Sequence, residues 1–320
     1  MKQVTILGPC FNEEDNINLF LDRAIAATAT IPDIEFRFLI IDNCSTDNTV
    51  ALVKQRCAVD PRIMLIVNNR NFGHIRSPYH GLLEAPGDAV ICLATDLQDP
   101  PELIAELVDG WQKGFKAVML VKPRAESNSL MEPFRKAYYR FLNKISDAPL
   151  INDATGAGLY DRAMLDELRK IRDPYPYFRG LVGELGFPVK KIVFEQPGRH
   201  AGITKNNWYT LYDIAMLGIV KHSRVPLRIM VFGGFFVAIV SFLIALGYML
   251  YKLLFWSSFS VGVAPLIIGL FVFGGLQLMM VGLLGEYVAT ILMHVRGMPL
   301  VTERERINFP GQKKTEGEQS

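Results

Sequence analysis

Cysteine is scarce in this chain: four in 320 residues (Cys10, Cys44, Cys57 and Cys92), none paired as C-x-x-C. That spacing argues against a zinc site or a disulfide framework and fits a reduced cytosolic setting. The five histidines (His74, His80, His200, His222, His294) show no metal-ligand spacing. No G-x-G-x-x-G follows the first strand-like run, and no G-x-x-x-x-G-K-[ST] occurs, which disfavours a classical dehydrogenase or a P-loop NTPase. G-x-S-x-G is absent as well, against a serine hydrolase. A surplus of one charge is also missing: 34 basic residues face 32 acidic ones, a net of +2. A nucleic-acid partner is therefore not expected. No signal peptide is read at the start, because Met1 to Leu7 leads straight into a strand-like run.

Apolar sequence is abundant. Half the residues are hydrophobic (50%) and the mean hydropathy is +0.21, high for a purely soluble protein. Ile229 to Tyr251 carries no charge, and neither does Leu253 to Gly285; Lys252 alone separates them. A bilayer-spanning helix needs roughly 20 apolar residues. The reading is a hairpin of two spans, 227–252 and 261–287, turning at Trp256 to Ser260. Lys221, Arg224 and Arg228 precede the first span, and Arg296, Arg304 and Arg306 follow the second. The positive-inside rule then places both termini in the cytoplasm of an integral inner-membrane protein. Residues 206–226 have apolar positions at helical spacing and read either as an interfacial helix or as a surface helix on the domain. Residues 288–320 read as a cytosolic tail. Gly233-Gly234 and Gly274-Gly275 permit close helix approach, within the hairpin or in a homo-oligomer.

Residues 1–205 read as an α/β domain. Apolar strand candidates stand at Val4–Leu7, Phe36–Ile41, Ile63–Val67, Ala89–Leu93 and Ala117–Val121. Amphipathic helix-length segments at Asp15–Ala27, Asn48–Ala58 and Pro101–Gln112 lie between them. Alternation of this kind implies parallel βαβ units. Ligands of such sheets bind beyond the carboxyl ends of the strands. The residues there are acidic: Glu13 and Glu14 after the first strand, Asp42 and Asp47 after the second, Asp96 and Asp99 after the fourth. Asp42 is suited to accept hydrogen bonds from a ribose or a base. Ser45 and Asp47 read equally well as helix caps. Asp96 and Gln98 offer oxygen ligands for Mg²⁺ or Mn²⁺, while Asp99 before Pro100-Pro101 reads equally well as a cap. Arg124, Arg135 and Arg140 follow the fifth strand. They are read either as a site for an acceptor phosphate or as a solvated helix face.

Together, Pro9-Cys10-Phe11-Asn12-Glu13-Glu14, Asp42 with Ser45-Thr46-Asp47, Arg70-Asn71-Phe72-Gly73-His74 and Asp96-Leu97-Gln98-Asp99-Pro100-Pro101 form a pattern. It resembles family 2 glycosyltransferases, in particular the polyprenyl-phosphate glycosyltransferases. Thr155 to Arg162, Arg199 to Lys205, the paired apolar runs and Leu284-Gly285-Glu286-Tyr287 extend the resemblance over nearly the whole chain before the tail. It implies a GT-A α/β domain, a nucleotide-sugar donor (a UDP-sugar before a GDP-sugar) and a polyprenyl phosphate acceptor. By the same resemblance Pro9, Phe11, Glu13 and Asp42 hold the nucleoside. Asp96 and Gln98 bind the metal and diphosphate, Arg199 and Lys205 grip phosphate, and Asp153 lies near the reacting sugar. Three positions depart from the family pattern. Ala94 stands where a metal-binding aspartate is common, Asn43 replaces a frequent aspartate, and Phe11 replaces a tyrosine. The Q-x-x-R-W signature of processive synthases is absent, so one sugar per turnover is expected. The implied activity is inverting transfer of one hexose, glucose first. The competing reading, motivated by Ala94, is a degenerate transferase serving as a membrane scaffold. A transporter of lipid-linked sugars fits poorly, because two spans are few for that task.

Overall fold

The computed structural model describes residues 1–121, 154–195, 197, 225–255 and 263–310. Their centre is an eight-stranded sheet: β1 (Lys2–Cys10), β2 (Ile34–Asp42), β3 (Ile63–Asn68), β4 (Ala89–Cys92), β5 (Ala117–Val121), β6 (Ala154–Asp161), β7 (Val189–Val193) and β8 (Glu303–Ile307). The spatial order is β7-β5-β6-β4-β1-β2-β3-β8. The five strands expected from the sequence are all present as β1 to β5. β1, β2, β3 and β4 run parallel, as helix-linked strands must. The sheet as a whole is mixed, because β6 lies antiparallel between β4 and β5, and β8 lies antiparallel on β3.

Apolar residues alternate between two cores. On one face Ile6, Phe38, Ile40, Leu65 and Val67 pack under α1 (Ile17–Ala29), α2 (Thr49–Val59) and α4 (Ile104–Gln112). On the other, Leu7, Leu39, Ile41, Met64 and Ile66 meet α3 (Gly73–Glu84), α5 (Arg162–Lys170) and α6 (Phe178–Glu184). Strands buried on both faces read as continuous apolar runs, which is why β2 and β3 were legible.

The sequence reading passed over α3, β6 and β8. Helix α3 contains Pro78 and Gly81, which read as breakers. Gly81 lets α3 pack closely on β1, since a Cβ would stand 2.8 Å from the Leu7 side chain. Strand β6 (ATGAGLYD) carries two glycines, which are depleted in strands. Its Gly158, at φ +151°, passes so close to β5 that a Cβ would meet the Val118 carbonyl oxygen at 2.3 Å.

Two long helices follow, α7 (Val225–Leu254) and α8 (Val263–Val295). Leu227–Tyr251 and Gly269–Val295 are long and apolar enough to cross a membrane, and none of either stretch is buried. The second stretch continues past Glu286, beyond the expected boundary at 287. Gly234 faces Met280 of the opposite helix, 3.7 Å from where a Cβ would stand. Glu286 makes no ion pair with Arg228 or Arg296 among the described residues; its carbonyl accepts from the Thr290 hydroxyl (3.0 Å). The expected tail re-enters the domain: Glu303–Ile307 is a strand of the sheet.

Candidate active site

β1 carries β2 on one side and β4 on the other, so the connections leave in opposite directions at their carboxyl ends. That is the topological switch point at which open α/β sheets bind ligands. Register sets Cys10 opposite Asp42 and Leu7 opposite Cys92. The Leu93 N–H donates to the Leu7 carbonyl (3.0 Å) and the Thr95 hydroxyl to the Pro9 carbonyl (3.0 Å). Pro9, Phe11, Glu13, Asp42, Asp96 and Gln98 are therefore brought to one edge of the sheet. Asp153, Arg124, Arg135, Arg140, Arg199 and Lys205 lie outside the described residues.

The loops after β1 and β2 are laced together. Asn12 donates its N–H to Ser45 Oγ (2.8 Å) and accepts the Thr46 N–H on Oδ1 (2.8 Å). The Glu13 N–H reaches Thr49 Oγ1 (2.9 Å), the Glu14 N–H reaches Asp47 Oδ2 (3.2 Å), and the Glu14 carboxylate accepts the Asn48 N–H (3.0 Å). Asn48, not Asp47, holds the N-cap position of α2 and makes no side-chain cap bond. From one residue before it, Asp47 Oδ1 accepts the Thr49 N–H at 3.0 Å and the Thr49 hydroxyl at 2.6 Å. Ser45 does not cap; it braces Asn12. Asp42 is fully buried and its Oδ2 accepts the Ser45 N–H (2.9 Å), so it shapes the crevice wall from within.

Asn43 ties this wall to the next strand, a role the sequence did not announce. Its Oδ1 accepts from Asn68 Nδ2 (3.1 Å) and the Phe72 N–H (2.9 Å), and its Nδ2 donates to Asn71 Oδ1 (2.9 Å). An aspartate there would lose the donor to Asn71. Arg179 is a second residue that sequence reasoning missed. Its guanidinium donates to the Thr155 carbonyl (3.4 Å), two residues after Asp153. Only tertiary folding brings α6 to β6, so no local signal could have found it.

After β4 the chain turns tightly. Asp96 Oδ1 accepts the Gln98 N–H (3.1 Å) and Leu97 takes φ +61°. Asn12 (φ +56°) and Cys44 (φ +65°) are also left-handed, so among the described residues three of the five non-glycine residues with positive φ stand at the carboxyl ends of β1, β2 and β4. Left-handed backbone costs about 1–3 kcal/mol per residue and gathers at functional sites. Asp99 does not cap the 3₁₀ turn Pro101–Leu103; its Oδ2 accepts the Ala94 N–H (3.2 Å) and closes the loop instead.

Burial, and then Asp42, Glu13 and Asp47, raise the Cys10 thiol well above its usual range. Burial and Asp99 push Cys92 up to about 12. Both thiols are therefore neutral and serve as packing, not as nucleophiles. No group of three or more His, Cys, Asp or Glu able to hold a metal occurs among the described residues. Ala94 supplies no second carboxylate. Mg²⁺ and Mn²⁺ commonly take one or two carboxylates and complete their shell with substrate phosphates and water. Asp96 with Gln98 at the strand end fits that donor set.

The profile of the family described as "Glycosyl transferase family 2" matches residues 5–169, just over half of the chain. The chain belongs to glycosyl transferase family 2. It is a glycosyltransferase with a GT-A fold. A bactoprenol glucosyl transferase of Shigella phage SfII is 29% identical over 298 residues, covering 93% of this transferase and 96% of the phage protein. The glycosyltransferase YkcC of Bacillus subtilis is 29% identical over 299 residues, 93% and 92% of the two chains. Among solved structures, the mannosyltransferase PcManGT of Pyrobaculum calidifontis, in complex with GDP-Man and Mn²⁺, matches with a TM-score of 0.46. Identity there is 15%, over 92% of this chain and 87% of that one.

Proposed function

We propose that this transferase moves one glucose from a nucleotide-diphosphate sugar, UDP-glucose first, to polyprenyl phosphate at the cytosolic face of a membrane, with inversion at C1. The observation that carries the reading is the phage bactoprenol glucosyl transferase. It aligns over 93% of this chain. Two long apolar helices whose spanning stretches lie outside the domain core agree with an enzyme resident where its acceptor lies.

Phe11 offers a stacking face to the base, and Pro9 and Glu13 line the wall that Asp42 holds in shape. Asp96 and Gln98 bear on the donor diphosphate. A bound Mg²⁺ or Mn²⁺ there would offset charge developing on the leaving diphosphate. Arg199 and Lys205 add cations to the same oxygens. The acceptor phosphate is already anionic near neutral pH, so no strong base is needed. Asp153 accordingly positions the sugar, and Arg124, Arg135 and Arg140 receive the acceptor head group. Confinement of enzyme and acceptor to one bilayer raises their effective concentration.

The test is transfer of label from a panel of UDP- and GDP-sugars into the organic phase by purified protein in detergent with Mg²⁺ or Mn²⁺. UDP-glucose is expected to label the lipid. Asp96→Asn is expected to cut turnover about 100-fold or more, the scale of a lost electrostatic stabiliser. Nucleotide binding without transfer from any donor would instead favour the scaffold reading that Ala94 motivates.

A further inference from the structure

We propose that the C-terminal strand β8 is a positioning strap: its ion-pair cluster with α3 sets the crevice at a fixed height and angle to the two apolar helices, so that an embedded acceptor phosphate can reach it. The proposal rests on the functional reading above and adds to it a role for residues 296–309.

Helix α8 ends at Val295 and β8 begins at Glu303, and the second half of the short link between them is pinned to the domain. The Arg76 guanidinium donates to the carbonyls of Pro299 and Leu300 (2.8 Å each). Val301 is buried, and the Thr302 carbonyl accepts the Asn69 N–H (2.9 Å). At the helix end, His294 Nε2 lies 3.5 Å from the Asp173 carboxylate. A helix fastened this way has little freedom to swing about its base.

The strand itself is held by charge on both faces. Register pairs Asn68 with Glu303 and Val67 with Glu305, so Arg304 is an extra, bulged residue. A bulge shifts the alternation by one, which brings Glu303 and Arg306 to the same face of the sheet. That face is covered by α3. There His80 Nε2 meets Glu303 (2.5 Å), and the Arg306 guanidinium joins Glu303 to Glu84 (2.6 Å). On the other face, Lys54 of α2 pairs with Glu305 (2.6 Å). The Asn308 amide bonds the carbonyls of Cys57 and Ile63 (2.8 and 2.9 Å). A sheet edge can be protected by charge, a bulge or a covering element alone, without such a network. Part-buried ions must be paired to offset their desolvation, and this cluster pairs them on three elements at once.

The anchoring elements also carry the crevice. Asn69 and Arg76 flank Asn71, which Asn43 holds directly beside Asp42. The helices and the donor wall are thus referred to one frame, β3 with α3. Misplacement of reacting groups by about 1 Å can cost about 100-fold in rate. A strap that fixes this geometry therefore bears on transfer to an acceptor whose own position is fixed by the bilayer.

The experiment compares wild type, Arg306→Ala and Arg76→Ala in vesicles. Two acceptors are used: long-chain polyprenyl phosphate embedded in the vesicles, and water-soluble geranyl phosphate. Both variants are expected to lose about 10-fold to 100-fold in kcat/KM on the embedded acceptor. The donor KM and the rate on geranyl phosphate are expected to stay at the wild-type value, and Arg306→Lys to recover part of the loss. If Arg306→Ala does not fold, Arg76→Ala decides alone, because it cuts the link and leaves the ion cluster intact. Equal losses on both acceptors, or no loss on either, would overturn the strap. Wild type inactive on both acceptors would overturn the functional reading itself, and the strap's role with it.

Discussion

Gly8 stands where β1 passes beneath three side chains at the crevice. A Cβ there would meet Phe20 at 2.8 Å and Ile40 and Thr95 at 2.9 Å. Thr95 holds the Asp96 turn to β1 through the Pro9 carbonyl. Overpacking of a filled core costs about 1–3 kcal/mol. Gly8→Ala is therefore expected to lower the melting temperature in detergent and to raise the donor KM, read by thermal unfolding and initial rates. An unchanged donor KM would mean that the Asp96 turn does not depend on Thr95. At this scale the sequence showed which residues follow the strands, because an acid after an apolar run is visible in one dimension. It did not show their division of labour. Asp47 bonds Thr49 at the start of α2 and the Glu14 N–H across the loops, Ser45 braces a neighbouring loop and Asp99 closes its own turn. The partners of Asp47 and Ser45 more than thirty residues away are invisible in one dimension.

Strand β8 shows the same limit for an element. Glu-Arg-Glu-Arg-Ile falls in the segment read as a cytosolic tail, and docking on β3 makes it a strand. Burial alone would raise the Glu303 carboxyl, but hydrogen bonds from His80 and Arg306, with their charges, outweigh burial and hold it at about 2. A carboxyl depressed by folding stabilises the fold fully above its ordinary value of 4.5, and that contribution fades as pH falls toward about 2. The protection factors of the β8 amides, exchange rates corrected for their intrinsic pH dependence, are expected to fall across that window in wild type and to lose this acid dependence in Glu303→Gln. An identical pH profile in the two proteins would show that Glu303 does not carry the acid sensitivity of the strand. Helix α3 and strand β6 were hidden for a related reason. Their glycines and proline are local breakers, yet Gly81 packs close to the Leu7 side chain and Gly158 passes so near the Val118 carbonyl that no Cβ fits there.

For the whole molecule, the two helices leave large side chains such as Phe232, Phe271 and Leu278 exposed. No water-facing surface gathers so much apolar area without a partner. The protein is expected to stay in the membrane pellet after washing at alkaline pH and to be released by detergent. Release by the alkaline wash alone would overturn the bilayer-spanning reading.

The sequence by itself determined the five apolar strands, the two apolar helices and the acids placed after the strands. Periodicity, run length and adjacency in the chain are local quantities, and so they survive in one dimension. The tertiary structure alone decided that Asn43 links two loops, that Arg179 reaches the strand after Asp153, and that the residues following the second apolar helix return to the sheet. Each of these depends on contacts between distant segments, whose energy comes from burial and pairing that no single segment possesses.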